Sequence, residues 1–320
     1  MSHNDGDAAL LGDAVWGAGD MPATSRLYGG IEAGGTKFVC AVGETPQAIQ
    51  ASTSIPTTTP RATLNQVIAF LRSYPIRRLG LATFGPLDLD RDSPTYGHIL
   101  STPKLAWQGC PIVHTLQTAL GVPVAVDTDV NAAALAEATY GAGRERDPVV
   151  YLTVGTGIGG GAVVHGRPLH GLMHPEMGHM LLKRVPGDTR PSGCPFHEDC
   201  LEGLASGHAI RLRFGAPETL PPGHETWVLE ATYFGQALAT IVTILSPQRI
   251  IIGGGVMLQP HLLPRIREAC AQALRGYVPR LKTLSDFESY IVAPALGVKA
   301  GVIGALHLAQ EFRYIPNLTT

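Results

Sequence analysis

The stretch Leu27-Tyr28-Gly29-Gly30-Ile31-Glu32-Ala33-Gly34-Gly35-Thr36-Lys37-Phe38-Val39-Cys40-Ala41-Val42-Gly43 reads as strand, glycine turn and strand, a β-hairpin. About half a chain later the pattern returns: strand 149–154, glycine turn 155–161, returning strand 162–165. Strands and helices alternate around each hairpin. After the first come a helix over 60–74, with Leu64, Val67, Ile68 and Leu71 on one face, and a short buried strand over 78–83. A helix over 112–120, a strand over 122–126 and an alanine-rich helix over 131–140 complete that half. The second hairpin leads into a loop-rich region, 166–204, then a long buried helix over 227–245, a strand over 249–252 and a glycine turn over 253–255. A helix over 261–275, a strand over 290–292 and a terminal helix opened by Pro294 and running to about 310 close the chain. Two such hairpins predict a duplicated α/β architecture with sites at the ends of its strands.

Composition narrows the function. Of 320 residues 45% are hydrophobic and 16% charged, enough for sizeable cores and against a disordered chain. The 38 glycines and 25 prolines are about a fifth of the chain and have no collagen period, so the excess must sit in particular loops. A net charge of −2 offers no basic field for nucleic acid. Five scattered cysteines favour a reducing compartment over a disulfide framework. Residues 1–26, with Asp5, Asp7 and Asp13 and no positive charge before Arg26, read as a flexible tail, not a signal peptide. The uncharged stretches 148–166 and 231–248 are broken by glycine or by polar residues and do not read as membrane spans. The expectation is a soluble, cytoplasmic protein with neither nucleic acid nor membrane as partner.

The glycine loops suit phosphate. Gly34, Gly35, Thr36 and Lys37 combine free backbone N–H groups with a hydroxyl and a positive charge, though no Walker A string occurs. Gly155-Thr156-Gly157-Ile158-Gly159-Gly160 matches G-x-G-x-x-G only formally, because β-type residues follow where a dinucleotide loop needs a helix. Gly253-Gly254-Gly255-Val256 follows a buried strand and would let a nucleoside approach closely.

Cys194, His197 and Cys200 are spaced for a tight loop on a tetrahedral zinc, with His179 as fourth ligand and His174 as its competitor. Phosphoryl transfer to an alcohol needs a carboxylate to take the hydroxyl proton. Asp129 stands at the end of an apolar strand, and Asp127 or Thr128 is expected to cap the helix after it. Glu176 and Glu202 flank the zinc loop and could accept sugar hydroxyls.

Together these strings resemble the ROK sugar kinases, and within them the bacterial fructokinase branch. The resemblance runs from Leu27 to about Ala309. It rests on Gly30–Lys37, on Asp127–Glu137, on 152–161, on His174-Pro175-Glu176-Met177-Gly178-His179, on the cysteine loop with Glu202, and on 251–257. It implies an actin-like, ribonuclease H-like duplicated two-domain fold with an interdomain cleft. The expected domains are 27–142 plus the terminal helix 295–310, and 143–294 with the zinc loop. It implies fructose phosphorylation at the 6-hydroxyl by ATP with Mg2+, Asp129 as base, and Gly85, Pro86, Glu176, His179 and Glu202 on the sugar. Gly34–Lys37, Thr156 and Gly157 would face phosphate, and Gly254–Val256 the nucleoside. The structural zinc would use His179, Cys194, His197 and Cys200, and the assembly would be a homodimer. The sequence departs from the common pattern at Glu32 for Asp, Thr128 for Asn and His197 for Cys, all as in the fructokinase branch. His208 stands where proline is commoner. A broad or glucose/mannose kinase is the alternative. A sugar-sensing regulator is disfavoured by the acidic 26-residue leader and the intact Lys37, Asp129 and Thr156.

Overall fold

A computed structural model describes residues 26–102 and 104–311; the flexible tail expected at 1–26 lies, apart from Arg26, outside the described residues. The first half runs β1 (Leu27–Ala33), β2 (Lys37–Thr45), β3 (Ala48–Pro56), α1 (Pro60–Arg72), β4 (Ile76–Thr83), α2 (Ile112–Leu120), β5 (Val124–Thr128) and α3 (Asp129–Tyr140). The second runs β6 (Val149–Val154), β7 (Ile158–Val164), β8 (Arg167–Pro168), α4 (Leu201–Ala205), α5 (Gly207–Phe214), α6 (Glu225–Leu245), β9 (Arg249–Gly253), α7 (Leu262–Leu274), α8 (Leu284–Tyr290), β10 (Ile291–Val292) and α9 (Ala300–Glu311).

The two sheets have one topology. The first is ordered β3-β2-β1-β4-β5 and the second β8-β7-β6-β9-β10. In each, the hairpin is antiparallel and its first strand pairs in parallel with a later one: β1 with β4 (Ile31 opposite Leu81) and β6 with β9 (Leu152 opposite Ile252). The duplication read from the hairpins is therefore present strand by strand. The second core packs Trp227, Tyr233, Phe234 and Leu238 of α6 under β6 and β9; the first packs Phe38, Leu79, Leu81 and Trp107. Thr226–Leu245 is long and apolar enough to cross a membrane, but half of it is buried in that core.

Small residues set the middle of the molecule. α3 is apolar on nearly all sides and buried from Asn131 to Glu137, as a helix enclosed on every face must be. It packs against α9, β6 and β7. α9 lies so close that a Cβ at Gly304 would sit 2.0 Å from the Ala132 carbonyl oxygen, so only glycine fits.

Several boundaries differ from expectation. The glycine turn spans only 155–157, because Gly159, Gly160 and Gly161 belong to β7 and let it run against Val130, Asn131 and Met177. The terminal helix begins at Ala300, not near 295. Glu137 accepts the Ala295 and Leu296 N–H groups and holds that segment outside the helix, and a 3-10 turn over Gly297–Lys299 follows. β3, α5 and α8 had no counterpart in the sequence reading.

Candidate active site

The β5–α3 junction is built by its cap. Thr128 is the N-cap, its hydroxyl accepting from the Asn131 N–H, which settles the alternative with Asp127. Asp127 is buried and accepts from the Thr128 N–H (2.7 Å) and Asn131 Nδ2 (2.8 Å). Asp129 then stands in the first helical turn with Oδ1 accepting from the Val130 N–H at 2.9 Å. Burial pushes its carboxyl up to about 6 against the pull of that N–H.

Other carboxyls converge on it. Glu32, at the end of β1, is pushed up to about 7 by burial and then by the Asp129 charge, with Lys37 opposing. Glu176, just before the 3-10 turn Met177–His179, is pushed up to about 7 by burial and then by the charges of Glu202 and Asp129. Glu202 lies in the first turn of α4 and accepts the Ile158 N–H at 2.9 Å, tying it to the second glycine turn. Asp129 from the first half and Glu176 and Glu202 from the second thus share one field. Such a cluster can hold sugar hydroxyls, and its group nearest ionisation can take a proton. Gly85 and Pro86 reach it through the next residue: the Leu87 N–H donates to His174 Nε2 (3.3 Å), and His174 Nδ1 lies 3.3 Å from Glu176 Oε1.

The glycine turns take the remaining positions. Gly34 closes the first hairpin by donating to the Lys37 carbonyl (3.0 Å), leaving Thr36 and Lys37 exposed. In the second, Gly155 donates to the Gly157 carbonyl (2.9 Å), and the start of α5 is stitched to it by Gly207 N–H to Gly155 O and His208 N–H to Thr156 O. Thr156, Gly255 and Val256 line one cavity of about 450 Å³, with His208, Arg211 and Leu258 on its other walls. Gly254 supports that wall at φ +99°, where a Cβ would meet the Val154 carbonyl at 2.4 Å.

His179, Cys194, His197 and Cys200 form the expected quartet, with ligand atoms within 4.8 Å of one another. Cys194 Sγ lies 3.7 Å from Nδ1 of both His179 and His197, and Cys200 Sγ lies 3.8 Å from His179 Nδ1. A tetrahedron with metal–sulfur bonds of about 2.3 Å and metal–nitrogen bonds of about 2.0 Å has sulfur–nitrogen edges of roughly 3.5 Å, close to these separations, so these residues fit zinc. His174 is not among them. Arg184 fastens the loop a second way, donating to Asp199 Oδ1 and to the carbonyls of Glu198, Asp188 and Arg190.

The ROK family profile matches residues 28–312. The chain belongs to the ROK family. It is 42% identical to a fructokinase of Zymomonas mobilis over 90% of this chain and 98% of that one. A glucokinase of Streptomyces coelicolor is 27% identical over 88% and 97% of the two chains. The crystal structure of a ROK glucokinase from Streptomyces griseus, in complex with glucose and AMPPNP, superposes with a TM-score of 0.71 at 25% identity, over 89% of this chain and all of that one. The architecture is accordingly the actin-like fold of this ROK protein's relatives.

The sequence reading missed Asp127 as a structural anchor, and it missed His170, whose Nε2 lies 3.0 Å from Asp127 Oδ2. It also left Arg211 out of the cavity and His208 without a place. His170 and His174 stand four apart in a loop, where spacing carries no periodic meaning; only their pairing near Glu176 was available as a signal.

Proposed function

We propose that this chain is an ATP-dependent fructokinase that phosphorylates the 6-hydroxyl of fructose. The observation that carries the substrate is the identity gap: 42% to a fructokinase against 27% to a glucokinase over nearly the same span. Glucose is the second reading, favoured by the likeness to a structure holding glucose.

Asp129 acts as the base, since a carboxyl near 6 is ionised at neutral pH yet can still take the hydroxyl proton. Glu176 and Glu202 accept sugar hydroxyls, with Gly85 and Pro86 on the same side. His179 serves twice, turning Nδ1 to the thiols and leaving Nε2 for the sugar. Gly34, Gly35, Thr36, Lys37, Thr156 and Gly157 face the phosphates, and Gly254, Gly255 and Val256 the nucleoside. Glu32 offers hard oxygen beside Asp129, a donor set that fits magnesium completed by phosphate and water. Glu32 would hold magnesium that neutralises charge on the phosphates, and His179, Cys194, His197 and Cys200 would hold zinc that fixes the loop between Glu176 and Glu202. The reading divides the chain into 27–142 with the terminal helix, and 143–294, in a cytoplasmic homodimer.

The test is ADP release in the presence of fructose and magnesium. Asp129→Ala should lower kcat by about 10²–10⁴-fold with the fold intact. Normal turnover in that variant removes the base assignment.

A further inference from the structure

The loop 169–176 leaves the second sheet and touches the first half of the molecule through two histidines. His174 is buried, its side chain 3% exposed. Its Nε2 accepts a backbone N–H, from Leu87 at 3.3 Å. A ring nitrogen that accepts carries no hydrogen, so the neutral ring bears its hydrogen on Nδ1, 3.3 Å from Glu176 Oε1. One imidazole therefore joins the turn that follows Gly85 and Pro86 to a carboxylate of the sugar-facing cluster. Burial, which holds this ring below the usual histidine range, agrees with a neutral relay.

His170 makes the companion contact. Its Nε2 lies 3.0 Å from Asp127 Oδ2, and Asp127 is the carboxylate that also receives the Thr128 N–H and Asn131 Nδ2. That set of bonds defines the turn on which Asp129 stands. The loop so reaches both first-half segments that carry sugar-side residues, and it ends at Glu176 itself. Zinc does not require either ring, because its quartet is complete without them.

We propose that His170 and His174 are positioning residues for the sugar, registering Glu176 against the Pro86 turn and the Asp129 turn so that groups from both halves close on one hexose. This rests on the sugar-kinase reading. His174 stands between the Leu87 N–H, from which it accepts, and the Glu176 carboxylate 3.3 Å away, and His170 is the tie to the catalytic turn. Neither takes part in proton transfer to substrate.

His174→Phe keeps an aromatic ring at the position and removes the hydrogen bond from Leu87 and the polar contact with Glu176. The expected result is a fructose KM raised about tenfold or more, since misplacing a binding group is costly well before it is lost, with the ATP KM and the bound metal unchanged. His174→Gln, which can still accept from Leu87, should fall between. A wild-type fructose KM in His174→Phe overturns the relay, leaving the ring only a packing role. Equal rises in both KM values, or loss of metal, overturn it in favour of general support of the loop. If the Phe variant does not fold, a double-mutant cycle of His170→Gln with Asp127→Asn decides: non-additive effects on fructose KM support the inference and additive ones defeat it. Wild-type enzyme that ignores fructose but uses another hexose defeats the substrate reading alone, and the same variants are then read on that sugar.

Discussion

Burial lifts the Asp129 carboxyl to about 6, so turnover should fall on the acid side as that group takes its proton, with Glu32 and Glu176, both pushed up to about 7, extending the limb toward neutrality. A kcat/KM profile for the sugar checks this; a limb far below these values shows that another group, or none, controls the step. Asp188 is a contrasting carboxyl. Burial pushes it up, but hydrogen bonds from Arg213 and Tyr233 outweigh this and bring it down to about 2. With its folded value below the unfolded one near 3.9, its stabilisation is complete above about pH 4 and disappears as pH falls toward 2. Arg213 is fully buried beside it. Asp188→Asn should therefore cost about 3–5 kcal/mol, the usual effect of stranding a buried charge. Melting temperatures at neutral pH measure it, and an unchanged value contradicts the assignment.

At the scale of elements, the loop that carries the Cys/His quartet has two fastenings, the quartet itself and Arg184. Removing metal by chelation should lower the melting temperature and raise the fructose KM, because Glu176 and His179 lie before the loop and Glu202 directly after it. Bound metal by elemental analysis, with melting curves before and after chelation, gives the answer; no metal and no shift remove the staple. Gly304→Ala should cost about 1–3 kcal/mol by overpacking, since α9 cannot back away from Ala132 without leaving β1 and β4. Both hairpins were legible because apolar runs flank their glycines. β3 was not, because its residues alternate around Ser and Thr on an edge that is exposed along most of its length. β7 was shortened in the reading because glycine in a strand looks like a turn until the helix it must pass is known. The candidate site residues were legible as motifs. His170 was not, since the reason for it is a carboxylate 43 residues earlier that only the fold brings near.

For the whole molecule, one strand order used twice places the ends of two hairpins and two parallel strand pairs around a shared centre. The chain passes between the halves after α3 and again before α9. Glu137 holds both passages, accepting from Ala142 on the first and from Ala295 and Leu296 on the second. On the proposed reading, three glycine turns, a base from one half and sugar acceptors from the other have one arrangement that uses them all: a nucleotide and a hexose meeting between the sheets. The most direct measurement of this is ADP release by the purified protein over a panel of hexoses with magnesium and ATP. The account predicts a kcat/KM for fructose at least about tenfold above those for glucose and mannose, a difference of about 1.4 kcal/mol in transition-state binding, with fructose 6-phosphate as product. A higher kcat/KM for glucose, or no sugar-dependent ADP release at all, would contradict it.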